Sequence, residues 1–281
     1  GEWVVWDDPW VEWSTADLVV VRSTWDYDAR LNEFLGWAGS VGTHLLHGAG
    51  VFRWNTDKSY LLELAARPGL PVVPTVLVDS VTGLRGAVAR LGTSVVKPRV
   101  GAGGRGLSVV RPGQRWVPHD LGPWVVQPLV ESVFDEGETS VFVIGGRPVA
   151  QVVKVAGPAD PRVHERYGGR SAAVVLTHEA ALLAVDAVAA TAEFLGAAIV
   201  YARVDLLRHE GVLCVSEVEV TEPGLYLGLV PQVAEALAHA LAERHALGLR
   251  AHGHHSADSL VAGHERVLGE APFVVEHGQV G

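Results

Sequence analysis

The sequence predicts an α/β protein of the α+β kind, with antiparallel hairpins and helices in alternation. Three observations carry this. Strand-length β-branched runs alternate with amphipathic stretches of helix length. Two hairpin signatures stand in the second half of the chain. The composition, 48% hydrophobic and 19% charged over 281 residues, is that of a globular chain long enough for two or more subdomains.

Residues 4–6 and 18–21 read as short strands around a polar, proline-containing loop at 7–15. With a helix over 32–38 they predict a small α/β unit. A helix over 57–66 is stopped by Arg67-Pro68-Gly69. A strand over 72–78 and a helix over 81–91 come next. Strands at 95–96 and 107–110 enclose a glycine-rich segment, and 125–126 adds another strand. Gly145-Gly146 joins strands over 141–144 and 147–155, since paired glycines suit the turn between twisted strands. The longest helix covers 180–195. Strands over 201–207 and 212–220 flank Arg208-His209-Glu210-Gly211, and a helix covers 232–247. From Arg250 periodicity fades and His252, His254, His255 and His264 accumulate. That reads as a solvated tail, because no cysteine or carboxylate ligand set accompanies the histidines.

The formal net charge of −10 argues against nucleic acid or an anionic membrane as partner. The most apolar long window, 180–200, carries Asp186 and Glu193 and so predicts a buried or amphipathic helix rather than a span. A single cysteine, Cys214, excludes an internal disulfide framework and fits a reducing, cytoplasmic setting. The first residues are neither basic nor apolar enough for a signal peptide. The chain has no methionine and opens at Gly1 directly before a strand-like run, so the N-terminal unit is expected to be partial.

Gly101, Gly103 and Gly106 match G-x-G-x-x-G, with Gly104 between them. A dinucleotide turn needs a helix after the glycines, whereas here a β-branched run and Pro112-Gly113 follow. A Rossmann oxidoreductase is therefore disfavoured. The segment reads instead as a flap between two strands whose backbone N–H groups can approach an anion. Lys97, at the end of the first strand, can reach phosphate oxygens as a point charge. Alone, the pattern equally describes an unliganded surface hairpin.

The strands around 209–211 are more specific. Period-two geometry puts Arg203 and Asp205 on one face of the first, and Glu217 and Glu219 on one face of the second. A three-residue loop sets Arg203 opposite Glu217 with all four on one face; a two-residue loop sets them on opposite faces. Clustered carboxylates on apolar strands repel one another, and Mg²⁺ held by oxygen ligands relieves that. In the stretch 124–143, Pro128 ends a strand after Gln127. Backbone groups around Gln127, Leu129 and Val130 are then expected to be free to read an adenine edge, with Glu131 at ribose hydroxyls. Lys58, Lys154, Arg162, Arg166 and Arg170 form a cation set; Lys154, on an otherwise apolar strand, is its strongest member.

In this order the pieces resemble the ATP-grasp superfamily. The acidic strand in "EVEVTEP" is similar to the E-x-N strand of glutathione synthetase-like ligases, with glutamate for asparagine. "RSTWDY" (22–27), "RWNTDKSYLL" (53–62), "VVKP" (95–98), 127–140, "YARVD" (201–205) and 217–227 look like the branch containing the O-ureido-serine cyclo-ligase of cycloserine biosynthesis. The resemblance spans about residues 6–247. "EPGLYL" departs from the branch's "EPSLFL", and the loop "VHERYGGR" differs in detail.

The resemblance implies an ATP-grasp fold. It divides into a partial N-terminal domain over 1–56, a small subdomain with the glycine flap over 57–125, a large subdomain with the metal site over 126–249, and a tail over 250–281. It implies an ADP-forming ligase that uses ATP and Mg²⁺ to join small carboxylate and amine substrates through an acyl phosphate. A homodimer is a possible assembly. In that reading Lys58, Lys97, the flap glycines, Gln127, Leu129, Val130, Glu131 and Glu138 bind nucleotide, and Asp205, Glu217 and Glu219 hold the metal. Arg203, Lys154 and Arg162 act on the transferred phosphoryl group, while Arg22, His164, Gly168, Gly169 and Glu222 face the substrate. The competing reading is a nucleotide-binding regulatory module that has lost catalysis, which the complete carboxylate set disfavours.

Overall fold

The computed structural model describes residues 1–158, 160–252 and 259–263. The N-terminal part holds β1 (Glu2–Val5), β2 (Leu18–Val21), α1 (Leu31–Val41), α2 (Gly48–Asn55) and α3 (Tyr60–Ala65). The middle part holds β3 (Val76–Val78), α4 (Val81–Leu91), β4 (Ser94–Pro98), β5 (Ser108–Val110) and β6 (Trp124–Pro128). The remainder holds β7 (Glu138–Ile144), β8 (Arg147–Val155), β9 (Arg170–Val174), α5 (His178–Leu195), β10 (Tyr201–His209), β11 (Val212–Glu219), α6 (Gln232–His252) and β12 (Ser259–Gly263).

These form three sheets, ordered β1-β12-β2, β3-β6-β4-β5 and β11-β10-β7-β8-β9. The four- and five-stranded sheets are antiparallel throughout. The five-stranded sheet sorts its residues by the strand period. Val141, Val143, Ala202, Val204, Leu206, Val215 and Val218 point to one face and join α5 and the N-terminal helices in the main core. Phe142, Ala150, Val152 and Tyr201 point to the other face, over which α6 packs. That second face is apolar only along part of its length; the rest is charged. The four-stranded sheet has its own small core with Leu84, Ala87 and Val88 of α4.

Several elements differ from expectation. α2 hides behind Gly48 and Gly50, poor helix formers, yet buries Val51, Phe52 and Asn55 on one side. β9 is a largely exposed edge strand of Ser and Ala, with no alternation to read, and its pairing with β8 defines it. The strand expected over 72–78 is split at Pro74, which has no N–H. Val73 bonds instead to Val215, and only Val76–Val78 pairs with β6. The helix expected from Asp57 starts at Tyr60, because the Asp57 carboxylate accepts from the Ser59 amide in a local turn. α6 runs on to His252. Within the expected tail, Ser259–Gly263 pair in parallel with β1 and β2. His254, His255 and His264 lie outside the described residues. The expected boundary between 125 and 126 falls inside β6. No helix of the described residues is long and apolar enough to cross a membrane.

Candidate active site

The charged part of the five-stranded sheet gathers Glu138 from β7, Lys154 from β8, Arg203 and Asp205 from β10, and Glu217 and Glu219 from β11. Pairing accounts for it: Glu138 lies opposite Lys154, Asp205 opposite Ser140 and Glu217, and Arg203 opposite Glu219. Residues directly opposite share a face. Carboxylate oxygens of Asp205, Glu217 and Glu219 all lie within 4.8 Å of one another.

Register is reached differently from the expected route. The β10–β11 turn has two residues, Glu210 and Gly211, both left-handed, with His209 opposite Val212. On its own such a turn would send the two acidic pairs to opposite faces. A β-bulge between Asp205 and Leu206 inserts Ser216, shifts the register by one, and returns all four side chains to one face. Arg203 consequently faces Glu219, not Glu217. The Ser216 hydroxyl donates to the Asp205 carbonyl at 3.1 Å, filling an acceptor at the bulge.

Four cations balance the carboxylates. Lys154 Nζ lies 2.5 Å from Glu138 Oε1 and 3.2 Å from Asp205 Oδ1. Arg203 Nη2 lies 2.8 Å from Asp205 Oδ2 and 2.5 Å from Glu219 Oε1. Lys58 Nζ lies 2.9 Å from Glu217 Oε1. Lys97 is the fourth; burial lowers its pKa, and the field of Glu217 opposes that shift. Burial favours the neutral form of Asp205, but Arg203 and Lys154, with a hydrogen bond from Ser140, hold it well below the usual carboxylate range. Burial likewise opposes Glu217, which Lys58 and Lys97 keep low. Glu219 is pushed up to about 7 by burial despite Arg203, and burial also raises Glu138. The cluster therefore mixes carboxylates that neighbouring cations hold low, Asp205 and Glu217, with two that burial raises, Glu138 and Glu219.

The glycine flap connects the antiparallel β4 and β5, and no helix follows it. Lys58 Nζ donates to the Gly101 carbonyl at 2.8 Å, tying the flap to the carboxylate cluster. Gly104 and Gly106 are left-handed, and a Cβ at Gly106 would sit 2.8 Å from Pro98 Cγ. A Cβ at Gly104 would meet Arg162 Cδ at 3.1 Å, so the flap touches the loop before β9.

Other expected site residues lie at varying distance from this cluster. Arg162 is paired with Asp160 at 2.5 Å and stacked 3.5 Å above Tyr167, at the flap rather than in the Asp205–Glu217–Glu219 cluster. His164 caps a short 3-10 turn by accepting from the Arg166 amide, and Gly168 closes that turn in the left-handed region. Gly169 passes so close to the Val163 carbonyl that no Cβ fits. Arg166 and Arg170 are exposed. The Leu129 amide is not free to read a base, since it donates to the Thr93 carbonyl at 2.8 Å. Gln127 bonds Thr75 at 3.0 Å, Val130 is buried, and Glu131 is exposed on a 3-10 turn. Arg22 lies 5.8 Å from the Tyr201 ring, and Glu222 is an electrostatic neighbour. Arg22 Nη1 and Glu222 Oε2 are both buried without a partner. Burial, with Glu219 adding to it, pushes Glu222 up to about 8.

Sequence reasoning missed the residues that hold β11 in place. Asn55 donates to Val218 O at 2.6 Å and accepts from the Val220 and Thr221 amides. Tyr60 bonds both backbone groups of Val218. Both stand in "RWNTDKSYLL" beside Lys58, and only the lysine was assigned from that motif.

Residues 1–47 match the family described as D-cycloserine synthetase DcsG, N-terminal domain. The chain is 34% identical over 260 residues to the cycloserine biosynthesis protein DcsG of Streptomyces lavendulae, covering 85% of this chain and 87% of that one. The crystal structure of D-cycloserine synthetase DcsG superposes with a TM-score of 0.77 at 34% identity, over 85% of this chain and 88% of that one. A structure of the ATP-grasp ligase PsnB shares the fold at 19% identity, with a TM-score of 0.52 over 76% of this chain and 69% of that one. The sheet carrying the carboxylates, the glycine flap and these likenesses agree: the chain belongs to the DcsG family of ATP-grasp ligases.

Proposed function

We propose that the ATP-dependent carboxylate–amine ligation of this family runs here through an acyl phosphate on a small, amino-acid-like substrate. The observation that carries the reading is one charged sheet face, with three convergent carboxylates and four cations, under a glycine flap tied to it by Lys58.

The donor set fits Mg²⁺. It is all oxygen, without histidine or sulfur, and its ligand atoms converge within 4.8 Å. Asp205, Glu217 and Glu219 would hold the ion, which when bound offsets phosphate charge. A PsnB structure was determined with Mg and ADP, which supports this reading.

A substrate carboxylate oxygen would attack the γ-phosphorus of ATP, releasing ADP. An amine would then attack the acyl carbon, expelling phosphate and losing a proton. Lys58, Lys97 and the flap amides would hold phosphates, and Lys154 and Arg203 would neutralise charge on the transferred group. Arg162 would act from the flap side. The unpartnered Arg22 Nη1 and Glu222 Oε2 would take opposite charges of the substrate. Buried polar atoms without partners are unfavourable, so a ligand supplying both is the natural complement.

Calorimetry with a non-hydrolysable ATP analogue, with and without Mg²⁺, tests the reading. Magnesium-dependent binding in the native chain, lost in Asp205→Asn and Glu217→Gln at unchanged circular dichroism, is expected. Full ADP formation by both variants would overturn the metal assignment. Binding with no ADP release across amino-acid and amine pairs would favour the regulatory module.

A further inference from the structure

One surface loop reaches from the expected substrate site to the flap. Residues 22–28 start at Arg22, with its unpartnered Nη1, and end at Asp28. The loop is anchored between those ends. Trp6 Nε1 donates to Asp26 at 3.1 Å, and Tyr27 is buried against Phe34. Asp28 is thus presented from a fixed base.

Asp28 takes three donors from the flap. Arg105 Nη2 lies 2.6 Å from Oδ1 and Arg105 Nε 3.0 Å from Oδ2, a side-on fork. The Ala102 amide donates to Oδ2 at 3.3 Å. Arg105 Nη2 also donates to the Trp25 carbonyl at 2.7 Å. The Asp28 side chain is only 12% exposed although Arg105 is 46% exposed. An ordinary surface pair engages two side chains; this one also fixes a backbone amide of the loop it grips.

We propose that Asp28 is a positioning residue, which with Arg105 latches the glycine flap onto the loop carrying Arg22. This rests on the ATP-grasp reading for its consequence: substrate capture and flap closure over nucleotide then share one loop. Asp28 need touch neither ATP nor the reacting atoms. Its removal would let the flap open more often, weakening nucleotide retention more than turnover.

The test uses the full chain as native protein, Asp28→Asn, Arg105→Gln and the double variant. Hydrogen–deuterium exchange is followed over residues 101–106, with no nucleotide and with Mg²⁺ plus a non-hydrolysable ATP analogue. KM and kcat for ATP are measured by ADP release with an amino-acid and amine pair that supports turnover of the native chain. Each single variant is expected to speed flap exchange about three- to tenfold and raise KM for ATP similarly, with kcat changing less than about twofold. The double variant should fall well short of the product of the singles, because both remove the same Asp28–Arg105 ion pair. Native-like flap exchange in both singles, or effects that multiply in the double, would overturn the proposal. The nucleotide-free arm reads the latch even if the native chain fails to bind the analogue, an outcome that would count against the ATP-grasp reading instead.

Discussion

The hydroxyl of Tyr60 donates to the Val218 carbonyl at 3.0 Å and accepts from the Val218 amide at 2.9 Å. One side chain thus replaces a neighbouring strand for one residue of β11. Val218 sits between Glu217 and Glu219, and β11 is the edge of its sheet. The outward Val218 N–H would otherwise be unpaired, while the Val218 C=O also accepts from Asn55 Nδ2 at 2.6 Å. Asn55 does the same for Val220 and Thr221, and Val73 with Pro71 for Val215.

Tyr60→Phe keeps the ring in the core and removes both bonds, leaving the buried Val218 N–H without a partner while its C=O keeps the Asn55 donor at 2.6 Å. A loss of about 2 kcal/mol in urea unfolding is expected. The Mg²⁺ concentration for half-maximal ADP release should rise about tenfold, since the strand carrying two carboxylates is less well aimed. A native magnesium requirement in a destabilised variant would make Tyr60 purely structural.

Much of this was legible in the sequence, for a physical reason. Period two assigns faces within a strand, so Arg203 with Asp205 and Glu217 with Glu219 could be paired from residue order alone. Relating the two strands needs the turn and any bulge. Ser216 carries no sequence mark of a bulge, so neither loop length alone gives Glu219 as the partner of Arg203, although a three-residue loop would also put the four residues on one face. The Leu129 amide is bound by Thr93, a contact between segments that no local pattern contains. Asn55 and Tyr60 likewise act on a strand more than 150 residues away, with sequence separations of 163 and 158 to Val218.

Lys154 offers a test of the charge balance. It is 3% exposed and lies against Glu138 and Asp205. Burial works against its charge, yet those carboxylates raise its pKa well above the ordinary lysine value. Lys154→Met would leave two buried carboxylates short of a counter-charge. Destabilisation of about 3–5 kcal/mol is expected at neutral pH, with loss of ADP release. A smaller loss at pH 5, where Glu138 is more readily protonated, would identify charge rather than shape as the cause.

At Gly106 two constraints coincide. Its φ is +73°, and a Cβ would press on Pro98 at 2.8 Å. Gly106→Ala must therefore move the flap or strain it. The expected cost in global stability is about 1 kcal/mol, while KM for ATP rises about tenfold. An unchanged KM would show that the flap amides near Gly106 do not contact nucleotide.

His47 predicts an acid limit for the fold. Its Nε2 accepts from the Val200 amide at 2.9 Å, so Nδ1 carries the proton donated to Val220 O at 2.8 Å, and the ring is neutral. Burial depresses its pKa to about 4. The unfolded chain, with an ordinary value of about 6.5, binds this proton first as pH falls. The contribution is intact above about pH 6.5, declines below it, and is lost by about pH 4, up to about 3 kcal/mol in all. Glu219 and Glu222, whose values are raised, act in the opposite direction, so the native curve alone does not isolate the histidine. The comparison with His47→Gln does: between pH 7 and pH 5 the native chain should lose about 2 kcal/mol more than the variant in urea unfolding. Parallel curves would mean that His47 accepts a proton in the folded state as easily as in the unfolded one.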